Sequence, residues 1–320
     1  MARLGRVRGL LVVNPRATTT SPRVIAVIVN ALSNELDLDV TVTTHQGHGI
    51  VLGEMALAQG LDIVITLGGD GVVNEVVNGI LSGGPGPDVP LLATVPGGSG
   101  NVFARTLGLP TDAVEATGLL LDRLRDGVTR TVGVGRANDR WFVANAGLGI
   151  DAEIIAAMEK KRKAGHTATP ANYLRTTLIE FFRSTNRKQA ALSLSRPPST
   201  EFPRGERLDG VFLAVIQNTS PWTYFGTWPI SPCPDASFDT GLDVFAMRRM
   251  RVPTALIATK QILTSRSGGT ARGGLLVWHD QPRFTLRATR PVEFQIDGEG
   301  MGPATEVTFT SHPDSLRVVA

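Results

Sequence analysis

Through its first 130 residues the chain alternates short apolar runs with longer stretches in which apolar residues recur every three to four positions. The runs Leu10–Asn14, Leu38–Thr44, Asp62–Leu67 and Leu91–Val95 have the length and β-branched content of buried strands. The periodic stretches near 22–35, 49–59, 71–82 and 112–126 predict helices. Strands alternating with helices require crossover connections, which place a parallel sheet between two helical layers. After Thr129 the pattern changes. Arg130–Arg136 and Arg140–Ala146 predict a hairpin turned at Asn138-Asp139, and helices are expected near 151–163, 171–184 and 252–264. From Ala190 onward short strands between Pro, Gly and Asp clusters predict a mainly antiparallel second domain. Arg196–Arg207 and Ser265–Gly274 predict loops.

Two glycine loops break this pattern at the ends of neighbouring strands. Gly68-Gly69-Asp70-Gly71 follows Asp62–Leu67, and Pro96-Gly-Gly-Ser-Gly-Asn101 follows Leu91–Val95; each precedes a helical stretch. Glycines let the main chain approach an anion closely, and a helix start turns N–H groups toward it. Ligands of doubly wound sheets lie beyond the carboxyl ends of the strands, where both loops fall. The pair therefore predicts a polyphosphate site with Asp70 set into it. The bland alternative for Asp70 is a cap on the helix that follows it.

Composition narrows the remaining classes. With 320 residues, 42% of them apolar, the chain can fill two cores. Thirty-two basic against 29 acidic residues leave a formal charge of +3, which argues against a nucleic-acid partner. Cys233 is the sole cysteine, flanked by prolines, with no activating partner in view and no internal disulfide to form. No apolar run reaches about 18 residues and no export signal is evident, so a cytoplasmic protein is expected. There is no Walker-type Gly-x-x-x-x-Gly-Lys-Ser/Thr sequence. Gly147-Leu-Gly-Ile-Asp-Ala152 fits the dinucleotide fingerprint formally, but no acid follows at the required distance, so it predicts a tight strand-to-helix turn. His45 and His48 have a ligand spacing without an obvious third ligand.

Together the two loops resemble the diacylglycerol kinase catalytic-domain family, which includes bacterial lipid kinases and sphingosine kinases. The resemblance extends over Leu11-Val-Val-Asn-Pro15, Thr43-Thr44 with Gly47-His48, Gly68–Gly79 and Pro96–Pro110. It continues in Asn145–Ala152, Pro234–Asp243 and Gln295-Ile-Asp-Gly-Glu299, in family order. The resemblance implies a phosphofructokinase-like α/β nucleotide-binding domain over 1–130 and a mainly antiparallel β-sandwich domain over 131–306. The last strands, about 307–320, would return to the first domain, and the active site would lie in the interdomain cleft.

It also implies ATP as co-substrate, Mg²⁺, and transfer of the γ-phosphoryl group to a membrane lipid, most simply diacylglycerol. A sphingoid-base or other lipid kinase, a catalytically degenerate lipid-binding or regulatory protein, and an NAD kinase are the alternatives. Gly68, Gly69, Gly71, Gly98, Ser99, Gly100 and Asn101 would form the phosphate cradle. Asn14, Thr44, Asn74, Glu75 and Glu299 would complete the nucleotide site. Asp297 matches the base of the bacterial enzymes and Asp70 the residue given that role in sphingosine kinases. Asp297 is preferred as base, with Asp70 on metal and phosphates.

The chain departs from the family in Val72, Ser99, Val102 and Thr240; the last stands where a metal-bound Asp is usual. Asp239, Thr240 and Asp243 are thus the candidates for an accessory magnesium whose site is in doubt. Trp222, Tyr224, Phe225 and Trp228 suit either packing or an interfacial anchor, and Lys160–Lys163 either a solvated helix end or docking to anionic lipid. Peripheral membrane association, on the inner face of the cell membrane, and a homodimer are candidate assemblies.

Overall fold

The computed structural model describes residues 6–15, 17, 21–149, 190–199, 202–249, 254, 258 and 274–320. The helices expected near 151–163, 171–184 and 252–264, the basic run at 160–163 and the loop 265–273 lie outside the described residues, apart from Thr254 and Ala258. The chain forms two compact units, Met1–Val134 with Asp314–Ala320, and Gly135–Pro313.

In the first unit β1 (Arg8–Val13), β2 (Asp37–Val42), β3 (Ile63–Gly68) and β4 (Leu91–Pro96) form a parallel sheet in the order β2-β1-β3-β4. The chain's last residues join it, with Val318 beside Leu92. Helices α1 (Pro22–Glu35), α2 (His48–Ala58), α3 (Asp70–Ile80), α4 (Val102–Thr106) and α5 (Ala113–Arg125) connect the strands. Two of the starts, α1 and α5, have a local cause. Ser21 accepts a hydrogen bond from Val24 N, with Pro22 opening α1. Asp112 accepts from Val114 N and Glu115 N to open α5. Ile28 and Leu32 of α1 and Ala113 and Leu120 of α5 meet Leu11, Val13, Ile65 and Val95 in one core.

Helix α3 is buried from Val72 to Ile80. Its close packing on α2 depends on two glycines. A Cβ on Gly79 would stand 2.2 Å from the Ile50 carbonyl oxygen, and one on Gly53 would stand 2.7 Å from that of Val76. Backbone meets backbone there, which no side chain permits.

The second unit is built on antiparallel pairs. β5 (Arg130–Ala137) and β6 (Arg140–Phe142) form the expected hairpin, with Asn138 at positive φ. The run expected to continue to Ala146 breaks after Phe142, and β7 (Asn145–Gly149) begins a separate strand. The remaining strands are β8 (Leu192–Arg196), β9 (Glu206–Val211), β10 (Leu213–Gln217), β11 (Thr223–Phe225), β12 (Trp228–Ile230), β13 (Leu242–Met247), β14 (Leu275–Gln281), β15 (Arg283–Ile296) and β16 (Glu299–Val318). Along the main path the order is β14-β13-β10-β7-β15-β16. The expectation of short strands fails for β15 and β16, of 14 and 20 residues. Register shifts between Arg287 and Val292 and between Phe294 and Gln295 let the ladder run on past Pro291 and Pro303 instead of ending there.

Strand β13 is buried throughout, because its alternate residues enter different clusters. Leu242, Val244 and Ala246 pack with Phe142, Phe284, Phe294 and Phe309, whereas Phe245 and Met247 pack with Leu213, Val215 and Cys233. Gly135 lies under the Phe142 ring, where a Cβ would come within 2.1 Å.

Candidate functional site

In the first unit the two glycine loops close β3 and β4, which are adjacent strands in register from Ile63 to Gly68. Their main chains touch. Gly97 N donates to the Gly68 carbonyl at 2.7 Å, and a Cβ on Gly98 would stand 2.7 Å from the Gly69 Cα. Asn101 adopts a left-handed conformation (φ 48°) and folds its amide back on the loop, accepting from Gly98 N at 2.9 Å and donating to the Gly98 carbonyl at 2.6 Å. The result is a ledge of bare main chain at the carboxyl end of the sheet, with Ser99 exposed on it.

Asp70 joins the loops. Its carboxylate accepts from Val102 N at 3.1 Å and Phe103 N at 3.0 Å, so it caps α4 rather than its own helix. This corrects the expectation that the helix after the second loop offers those N–H groups to an anion, since Asp70 already holds them. Burial raises the Asp70 pKa, and the backbone hydrogen bonds oppose that shift. Glu75 acts similarly one turn further on, accepting from Gly47 N at 2.6 Å and Gly49 N at 2.8 Å to hold the start of α2. Thr44 lies just before that start; its N–H donates to His48 Nδ1 and its hydroxyl lies 2.9 Å from His45 Nδ1. The two imidazoles stack with centroids 5.0 Å apart. Asn78 donates to the Asn74 carbonyl within α3, and Asn14 continues β1 with its N–H on the Leu67 carbonyl. Asn14, the Gly68–Gly71 loop and the 97–101 loop are thus brought together.

In the second unit Asp297 sits between β15 and β16 at φ 46°. One carboxylate oxygen accepts from Val143 N at 2.9 Å, and the other accepts from Ala144 N and Asn145 N, each at 2.9 Å. Asp297 N returns a hydrogen bond to the Asn145 carbonyl at 2.8 Å. Asn218 donates its side-chain amide to the Val143 carbonyl, and its backbone N–H donates to the Ala144 carbonyl. The residues between β6 and β7 are therefore fixed from two directions, and the break in the expected strand is what exposes three consecutive N–H groups to one carboxylate. Glu299 is half-buried at the start of β16.

The accessory-metal candidates have other partners. Asp243 is buried, with its oxygens 2.8 and 2.9 Å from His279 Nδ1 and one accepting from Asp280 N at 3.0 Å. Thr240 donates its hydroxyl to the Ser237 carbonyl, and Asp239 is exposed beside the Ser237 hydroxyl. Among the described residues no group of three His, Cys, Asp or Glu side chains is placed to hold a metal ion. The accessory magnesium therefore does not fit Asp239, Thr240 and Asp243 as they stand. A nucleotide-borne magnesium is a separate matter, since that ion takes one or two carboxylates plus phosphate oxygens, and Asp70 is the carboxylate at the ledge. The ledge itself fits a polyphosphate, because it is built from positions a Cβ would fill.

The fingerprint-like Gly147-Leu-Gly149 lies in β7, antiparallel to both β10 and β15, which removes the dinucleotide reading because that motif follows a strand of a parallel sheet; residues 150–152 lie outside the described residues. Cys233 is buried and its thiol pKa is pushed well up by burial, in keeping with an inert side chain. The partners of Asp70, Glu75, Asp297 and Asp243 are main-chain groups or a histidine between 26 and 154 residues away, and no local pattern announces them.

A parallel α/β unit with a glycine ledge at its strand ends, followed by an antiparallel β unit, defines the class. Residues 8–137 match the diacylglycerol kinase catalytic domain. A diacylglycerol kinase of Staphylococcus haemolyticus is 40% identical over 101 residues, 32% of this chain and 28% of that protein. One of Bacillus subtilis is 34% identical over 121 residues, 38% of each chain. The chain thus matches less than two fifths of the length of these relatives. A probable lipid kinase (YegS-like) of Pseudomonas aeruginosa is 27% identical over 284 residues, 88% of this chain and 84% of that one. A crystal structure of a putative diacylglycerol kinase from Bacillus anthracis shares the fold, with a TM-score of 0.75 over 98% of this chain and 96% of that one at 21% identity.

Proposed function

We propose that the chain is an ATP-dependent lipid kinase that phosphorylates the hydroxyl of a membrane lipid, most simply diacylglycerol to phosphatidic acid. The observation that carries this reading is the contact between Gly69 and Gly98, which makes a side-chain-free ledge for phosphate at the family's signature loops. The names of the relatives support the lipid as acceptor.

Phosphoryl transfer depends on position and charge compensation more than on covalent chemistry. Bound ATP with its magnesium supplies the activated phosphoryl group. Gly68, Gly69, Gly98 and Gly100 bring main-chain dipoles up to the phosphates, and Ser99 adds a hydroxyl. Asp70 holds the two loops in one geometry through Val102 and Phe103, and faces the phosphates from within that hinge. Asp297 is assigned the acceptor proton. Three N–H donors of the Val143–Asn145 turn fix the orientation of its carboxylate.

The test is ATP turnover against a panel of diacylglycerols, sphingoid bases and NAD, followed by Asp297→Asn and Asp70→Asn. The base assignment expects Asp297→Asn to lower turnover by about 10²–10⁴ with Mg-ATP affinity retained. Asp70→Asn should weaken Mg-ATP binding along with turnover. The opposite pattern reverses the roles, and no turnover on any lipid refutes the kinase reading.

A further inference from the structure

We infer that the β11–β12 hairpin is a bilayer-interface anchor that seats the second unit on the membrane beside Asp297; this rests on the lipid-kinase reading above. The hairpin is a separate two-stranded sheet pairing Thr223 with Ile230, Tyr224 with Pro229 and Phe225 with Trp228. Its turn, Gly226-Thr227, is exposed, as are Trp228 and Pro229. At 61% exposure Trp228 is the most exposed large hydrophobic side chain among the described residues. Two strands of three residues gain little stability on their own, so the stem has to be held elsewhere. Trp222 packs against the cluster containing Leu213, Val215 and Cys233, its N–H donates to the Ile230 carbonyl, and Ser220 and Ser231 hydroxyls meet at 2.6 Å. The stem is fixed and the tip presents an indole to the surroundings.

Three observations select a bilayer as the occupant. First, no charged residue lies between Asp209 and Asp235, in a chain whose overall charged content is 19%. The tip can therefore enter the headgroup region without stripping water from an ion. Second, the exposed group is an indole, whose apolar body and N–H suit the headgroup boundary. A second protein copy would need an interface of about 1,200 Å² or more, far larger than a two-residue turn with one indole. Third, the stem connects directly to the proposed base. Asn145 donates its side-chain amide to the Trp222 carbonyl at 3.1 Å, while its N–H donates to Asp297. One residue thus ties the anchor to the carboxylate, so seating the hairpin at the membrane surface bears directly on the turn that holds Asp297.

The experiment uses the full chain and neutral phosphatidylcholine vesicles, at low and high salt, with Trp228→Ser and Trp228→Phe. Flotation should show about a tenfold loss of vesicle binding for Trp228→Ser, equal at both salt concentrations, with Trp228→Phe retaining most of it. Turnover of diacylglycerol embedded in vesicles should fall in parallel, while turnover of a dispersed short-chain diacylglycerol stays at the wild-type value. Vesicle binding that is unchanged in Trp228→Ser, or binding abolished by salt, overturns the proposal. So does a wild-type dimer that Trp228→Ser converts to a monomer without any change in flotation. If neither form of diacylglycerol is phosphorylated but binding still depends on Trp228, the anchor stands and the kinase reading fails.

Discussion

Replacing Gly98 by alanine tests the ledge most directly. The added Cβ would sit 2.7 Å from the Gly69 Cα, with the Asn101 Oδ1 atom at 3.2 Å and the Gly69 nitrogen at 3.4 Å. Carbon atoms reach their optimal contact at about 3.5–4.0 Å, so the loops must part by roughly 0.8 Å or more. The atom in the way belongs to the main chain and cannot rotate aside. Overpacking of this kind costs about 1–3 kcal/mol. The same movement draws Gly98 away from Asn101 and strains the Gly97–Gly68 hydrogen bond. Two comparisons calibrate the result. Gly69→Ala meets the Gly98 Cα at 3.3 Å and the Gly98 nitrogen at 3.8 Å from an ordinary φ of −96°, so its effect on stability should be smaller than that of Gly98→Ala. Gly118→Ala, on an exposed turn of α5 with nothing within 4 Å, should stabilise by about 0.5–1 kcal/mol. Urea denaturation gives the stabilities, and calorimetric titration with Mg-ATP gives the affinities. Gly98→Ala should unfold at lower urea and bind ATP about tenfold more weakly, which corresponds to 1.4 kcal/mol. Wild-type stability in Gly98→Ala refutes the contact between the loops. Reduced stability with wild-type ATP affinity keeps the contact and refutes the cradle.

Asp297→Ala leaves the buried N–H groups of Val143, Ala144 and Asn145 without their carboxylate, at about 1–3 kcal/mol for each group left unpaired; the thermal midpoint should fall well below that of Asp297→Asn, whose amide oxygen still accepts. Equal midpoints for the two variants would show that the turn does not depend on this residue. The Asp243–His279 pair makes stability pH-dependent. The His279 pKa is raised above the ordinary histidine value, chiefly by the hydrogen bond to Asp243, so its contribution is complete below that ordinary value and is lost as pH rises through the higher folded value. Asp243 is raised as well, chiefly by burial, which makes the fold favour its proton too, so both shifts lower stability as pH rises. Denaturation midpoints at pH 6 and pH 8.5 should therefore converge in His279→Gln, and an undiminished difference would assign the pH dependence elsewhere.

The first unit was legible because its order is carried by local patterns. Ser21 and Asp112 stand where caps belong, apolar periodicity separates strands from helices, and glycines mark the strand ends. Helix α4 was foreshadowed by the Val102–Arg105 stretch but not the fact that Asp70 caps it, since 32 residues and a strand intervene. In the second unit the hairpin at Asn138-Asp139 followed from its turn chemistry, whereas the break after Phe142 did not. Nothing in Val143–Asn145 distinguishes a turn from a strand until Asp297 arrives from the other end of the unit to accept its N–H groups. The long strands β15 and β16 were hidden by prolines that register shifts absorb.

Asp70 and Asp297 share a design that bears on how mutants of either must be read. Each carboxylate comes from a motif glycine turn, Asp70 half-buried and Asp297 buried, and each accepts hydrogen bonds from consecutive main-chain N–H groups of a distant segment. A group held in this way has a fixed direction, which is what catalysis requires of a base or of a carboxylate facing phosphate. The same bonds make it a strut. Removing the charge therefore perturbs chemistry and architecture together, and loss of turnover alone assigns neither residue a catalytic role. The two effects separate by distance and by size. A strut effect at Asp70 should displace Val102 and Phe103 and appear in the unfolding midpoint without ligand, whereas a chemical effect appears only in the turnover of the folded protein. An Asp297→Asn variant with a near-normal midpoint, normal Mg-ATP affinity and turnover lowered by about 10² or more would meet the condition for a base. A midpoint lowered in proportion to the lost turnover would make Asp297 a residue that positions the Val143–Asn145 turn and nothing more.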